Sequence, residues 1–144
     1  MADVTATKDK VQRILTDEFG PVQVDRDSHY TLRHGSARVF IAVRELGDDR
    51  TVVQVFCPTN RGITPSPELF HFVATNNSYM FGSLSAIERD DGTIEIFFGH
   101  TLLGDTLDPE ELTMAVAMIA GTADDLDTEI MNRFGGSTFH DDPE

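Results

Sequence analysis

Cysteine is almost absent from this chain. Cys57 is the only one, so no internal disulfide can form. Nothing in the thiol content argues for an oxidising compartment, and a reducing cytosol is the default expectation. The first ten residues hold no apolar stretch of the signal-peptide kind. No run approaches the ~20 apolar residues that a membrane-spanning helix needs. A cytoplasmic protein without membrane contact is therefore expected. Its 144 residues, 40% of them hydrophobic, suffice for one ordinary core without a metal or disulfide staple.

Positive charge is scarce too: 11 basic residues stand against 25 acidic ones, for a net charge of -14. The imbalance is lopsided, with 9 basic and 10 acidic residues up to Ile87, but 2 and 15 from Glu88 onward. Such a field repels phosphate backbones and removes the main affinity term for nucleic acid. Anionic membrane surfaces are disfavoured for the same reason. A basic protein partner would be steered in, although solubility alone also accounts for the charge.

Signatures of chemistry are the third absence. His29 and His34 stand an odd number of residues apart, which puts them on opposite faces of one strand. His71, His100 and His140 are isolated, and no cysteine accompanies any histidine, so no zinc pattern exists. Residues 82–86 lack the second glycine of a nucleophile elbow, and no glycine-rich phosphate loop occurs. Cys57 ends an apolar strand just before Pro58, the place of a small buried hydrophobe. The segment before Gly92 is not a calcium loop, since Ile87 occupies the first-ligand position. Asp124, Asp125, Asp127 and Glu129 cluster on one helix and read as a solvated face. No catalytic residue, no metal and no cofactor is expected, and the chain does not read as an enzyme.

What is present is periodicity and punctuation. Val11, Ile14, Leu15 and Phe19 recur at helical spacing over residues 7–19, and Gly20-Pro21 stops that helix. Three strands follow: residues 22–32, 38–46 and 51–57, with two-residue Gly35-Ser36 and then Gly47-Asp48-Asp49 as turns. Pro58, with no N–H to donate, should end the third strand and open a loop over residues 59–65. Ser66-Pro67-Glu68 is a helix start with Leu69, Phe72 and Val73 on its inner side, ended by Asn76-Asn77. Asp91-Gly92 marks a second hairpin with arms near residues 82–90 and 93–103. Asp108 and Glu111 form a capping box for a last helix carrying Leu112, Val116, Ile119, Leu126 and Ile130. Gly121 could kink it, and one continuous helix is the preferred reading. The prediction is thus an α+β fold of order α-β-β-β-α-β-β-α, with a mainly antiparallel five-stranded sheet. Residues 1–136 form one domain and residues 137–144 a flexible acidic tail.

One feature exceeds what such a sheet needs. Phe40, Val52 and Phe56 face away from the side shared by Val39, Ile41, Val43, Val53 and Val55, and Phe97 opposes Ile96 and Phe98. A strand face turned to water would be polar there. The second helix could cover it, or a homodimer, or a client peptide. Phe40, Val52, Phe56 and Phe97 are accordingly the candidate binding residues.

Several residues then carry a family likeness: Asn76-Asn77, Phe81-Gly82, Asp91-Gly92 with Ile94, Leu102-Leu103-Gly104, Glu111-Leu112, Ala123-Asp124 and Phe134-Gly135-Gly136. With the element order, size and acidity, they make the chain resemble class I type III secretion chaperones. Its second half is more similar still to YbjN-type domains. The resemblance implies a non-enzymatic, often dimeric domain that holds partly unfolded protein or peptide clients against apolar patches, with no catalytic residues to transfer. Some members carry only a sensory-transduction description. Gly121 departs from the regular helix expected at a dimer interface. The expected function is a protein- or peptide-binding module, by strand addition or by a helix in a groove; a small-ligand-sensing regulatory domain is the alternative.

Overall fold

A computed structural model describes residues 2–35 and 37–139. Its elements run α1 (Val4–Phe19), β1 (Gln23–Val24), β2 (Tyr30–His34), β3 (Ala37–Leu46), β4 (Arg50–Ile63), α2 (Pro67–Thr75), β5 (Ser83–Glu88), β6 (Ile94–Leu103), α3 (Pro109–Phe134) and β7 (Ser137–Thr138). The α+β class and the antiparallel pairing are as expected. The sheet has seven strands among the described residues, not five, in the order β1-β2-β3-β4-β6-β5 with β7 on β4.

Each departure has a local cause. The Asp25 side chain accepts the backbone N–H groups of Asp27 and His29, at 2.9 and 2.8 Å, and folds residues 25–29 into a turn. What reads as one strand is therefore two, β1 and β2, paired to each other. β4 does not stop at Pro58. Pairing with β3 ends at Phe56 and pairing with β7 begins at Asn60, so a missing N–H between them removes no ladder bond on that flank. The register with β6 shifts on both sides of Asn60, which absorbs the irregularity. Ser137 and Thr138, assigned by sequence to the tail, are the strand β7; residues 140–144 lie outside the described residues.

The helices obey their caps. Asp3 accepts from the N–H of Ala6 at 2.9 Å and starts α1 one turn earlier than expected. Asp108 and Glu111 form the reciprocal capping box, at 2.9 and 3.2 Å. α3 passes through Gly121 without a break and buries one stripe from Leu112 to Ile130.

All three helices lie on one side of the sheet. Leu15 of α1, Leu69 of α2 and Ile119 of α3 join Ile41, Val55, Ile96 and Phe98 in one core, each with no measurable exposure. Fully burying a side chain of this size contributes about 1.5–3 kcal/mol. The ring of Phe72 meets that of Phe134 at 5.4 Å, which fixes α2 beside α3. The opposite face of the sheet is thus left without a helix among the described residues, and the first of the three accounts of Phe40 and Phe56, cover by the second helix, falls.

Candidate functional site

Strict alternation sorts the strand residues between two faces. Ile41 opposes Val55 and Cys57 opposes Phe98 on the helical side; Phe40 opposes Phe56 on the other. The Phe40 and Phe56 rings stack at 5.5 Å with 16° between planes. Phe56 reaches diagonally to Phe97, 6.4 Å away. The reach depends on Gly99, the direct partner of Phe56 on β6. A Cβ there would stand 3.2 Å from that of Phe56, so glycine keeps the floor between the rings low. Three of the four expected residues therefore form a continuous aromatic ladder across β3, β4 and β6. Val52 lies farther along the same face, beyond Gln54, opposite Arg44 and Leu103.

Two further rings seat the ladder, one at its middle and one at its Phe40 end. The His29 ring meets Phe56 edge-on at 5.8 Å, and its Nδ1 lies 3.4 Å from the Asp25 carboxylate. Phe139 meets Phe40 edge-on at 6.0 Å, under the Arg61 guanidinium at 4.7 Å. Asp25, Asp27 and His29 bring three potential metal-ligand atoms within 4.8 Å of one another. Asp25 Oδ1, however, is occupied by the turn that places His29, and its Oδ2 is the oxygen beside the His29 ring.

Beside the ladder runs an open groove of about 690 Å³. Phe56, Phe97 and Gly99 line it together with Ile87 and Ser85 of β5 and Met80 of the α2–β5 connection. Arg44, Gln54 and Thr101 line it as well. Met80 is 94% exposed. Arg44, Gln54, Ser85 and Ile87 escaped the sequence reading, although Arg44 shares the parity of Phe40 along β3.

The edge of the sheet is less open. The Arg89 N–H bonds to the Thr93 carbonyl at 2.8 Å, so alternation turns Glu88, Ala86 and Leu84 toward the outer edge of β5. There the Leu84 N–H already donates to Asn77 Oδ1 at 2.7 Å. Strand addition thus meets a short, partly closed edge.

Cys57 and His100 hold structural positions. Burial first, and the Asp127 carboxylate second, push the Cys57 thiol up to about 12, so it stays protonated at neutral pH. His100 Nδ1 accepts the Gly82 N–H at 3.2 Å.

Helices on one face of an antiparallel sheet, with aromatic rings and a groove on the other, define an α+β domain built around an open sheet surface. The chain belongs to the TY-Chap1 family, described as "T3SS (YopN, CesT) and YbjN peptide-binding chaperone 1", whose sequence profile it matches over residues 6–142. No curated protein sequence matches it. Among solved structures, it is similar to an uncharacterized protein from Methanothermobacter thermautotrophicus, with a TM-score of 0.57 and 14% identity. That match covers 90% of this chain and 99% of the other, and shows the fold alone. No helix among the described residues is long and apolar enough to cross a membrane.

Proposed function

We propose that this chain binds an extended or partly unfolded protein segment across the helix-free face of its sheet. The observation that carries the reading is the Phe40–Phe56–Phe97 ladder, half-buried and continuous with the groove, on a face that no helix among the described residues covers. Aromatic floors of this kind give apolar side chains a rigid contact surface at low entropic cost. Family membership supports the same function. The lone, protonated thiol of Cys57 suits a reducing cytoplasm as the setting.

Two competing readings have less support. A pocket for a small ligand would lie between sheet and helices, but Phe98, Ile119, Leu112 and Leu15 fill that space. A two-fold dimer closed over the ladder would bring Arg33, Arg38 and Arg44 of one copy toward those of the other, which like charge opposes.

The test is overlay of the protein on a spot array of 12-residue peptides of varied composition. Wild type is expected to bind a subset of apolar-rich spots, and the Phe40→Ala/Phe56→Ala double variant to lose them. Ser85→Trp, which fills the groove from an exposed position on β5, should lose them with full stability. Spots that survive in both folded variants would refute this surface.

A further inference from the structure

The groove differs in charge from the rest of the molecule. The chain has 25 acidic residues among 144, yet none of those among the described residues lines the groove. Four other surface grooves among the described residues each hold carboxylates, Glu129, Asp17, Glu18 and Asp108 among them. Here the charged group is a cation. Arg44 Nε donates to Gln54 Oε1 at 2.7 Å, and among the described residues this is its only hydrogen bond. The bond sets the guanidinium beside the ladder and leaves both Nη groups as a fork for a carboxylate. Alternation adds Arg33 and Arg38, direct cross-strand partners, to the same face. Arg61 flanks it over Phe139.

Spacing turns this into a pattern. Phe97, Gly99 and Thr101 are alternate residues of β6, about 6.7 Å apart, which is also the spacing of alternate side chains in an extended peptide. Gly99 is the gap beside Phe56, and Thr101 opposes Gln54, the residue that holds Arg44. An extended segment lying along β6 would place one side chain against Phe97, the next alternate one over Gly99 against Phe56, and the third at the Arg44 fork.

We infer that the groove selects an acidic segment of the pattern apolar–any–apolar–any–aspartate or glutamate, in either chain direction. The inference rests on the peptide-binding reading above and adds the sign of the charge. The net charge of the chain acts against an acidic ligand only over distance. At physiological ionic strength screening sets in at about 8 Å, so Arg44 within the groove decides. Phe139 shows an apolar side chain seated on this face: its ring meets Phe40 edge-on beneath the Arg61 guanidinium.

The test is a nuclear magnetic resonance titration of the full chain with the synthetic nonapeptide GSFSLSDSG and its counterparts bearing asparagine or lysine in place of aspartate. The aspartate peptide is expected to bind about two- to five-fold tighter than the asparagine one, and the lysine peptide weakest. The shifts should map to Arg44, Gln54 and Phe56. Arg44→Gln should abolish the preference, so that the aspartate and asparagine peptides bind it with equal affinity. Equal binding of the aspartate and asparagine peptides, lost in Phe56→Ala, would overturn the acid preference and leave the peptide-binding reading standing. Tightest binding of the lysine peptide would overturn it in favour of the acidic helical side. No binding of any of the three would sink both readings. A wild-type dimer in sedimentation that dissociates in Arg44→Gln would overturn it as well, with a second copy as the occupant.

Discussion

The two faces of one sheet use the same strands for opposite ends. On the helical side the side chains are mostly aliphatic and fully enclosed: Val39, Ile41, Val53, Val55, Ile94 and Ile96 are 2% exposed or less. On the other side aromatic rings alternate with Arg44, Gln54, Ser85 and Thr101, and are only half-buried. Both faces are apolar enough to look like core in a one-dimensional pattern. The difference lies in shape and in polar company. Branched aliphatic chains interlock with helices, whereas flat rings edged by hydrogen-bonding groups stay serviceable in water while offering contact area. A sheet can thus carry its stability on one surface and its recognition on the other.

That division can be attacked directly. Phe98→Ala should cost about 3–5 kcal/mol in urea unfolding, because the enclosed site cannot collapse around the lost ring. Phe56→Ala should cost less than half as much; equal losses would mean that the outer ladder is a second core. A step below comes Gly82→Ala. Its φ of +91 disfavours a side chain, and a Cβ would stand 2.5 Å from Ile119 Cδ1 and 2.6 Å from Phe98 Cε2. Overpacking of the inner face by about 1–3 kcal/mol is expected, read as a lowered urea midpoint.

The pH response of the inner face follows from Cys57. Its pKa is raised from 9.0 to about 12 in the folded chain. Below pH 9 the thiol is protonated in both states and the stability it contributes is fully present. Between 9 and 12 only the unfolded thiol ionises, so stability falls by about 1.4 kcal/mol per pH unit across that window. A Cys57→Ala variant should show a correspondingly shallower decline. Identical slopes would show that the thiol is not enclosed by the core. The smallest effect belongs to the outer face: Arg44→Gln should leave the melting curve unchanged within about 0.5 kcal/mol, as exposed pairs contribute little. A larger loss would assign Arg44 to folding rather than to recognition.

Much of the fold was legible because its signals are local. The Asp108–Glu111 capping box, Ser66-Pro67 as a helix start and Gly20 as a stop all act within one turn of chain, and all appear where expected. Asp91-Gly92 marked its hairpin but not its geometry. Gly92 N–H bonds to Arg89 O at 2.9 Å, and no positive φ occurs at Asp91, so a longer loop with glycine last replaces the two-residue turn. The misses are non-local. Pro58 breaks a strand only if both flanks are paired, and one is not. β7 is two residues long and exists only because Asn60 and Arg61 offer an edge.

The candidate site divides the same way. The parity of Phe40, Val52, Phe56 and Phe97 put them together on one face, and alternation in an extended chain makes that assignment independent of context. Which face lacks helices was not readable, because α2 has an apolar stripe that could have packed on either side. Arg44 was hidden for the same reason: its charge counted in a total, not at a place. The sequence alone determined the acidity, the caps, the strand periodicity and the doubly apolar strands, since each depends on residues within a few positions of one another. Only the tertiary structure decided that all three helices share one side, that Gly99 opens a floor beside Phe56, and that arginine gathers there in an acidic chain. Those outcomes depend on pairings between residues tens of positions apart, which no local pattern contains.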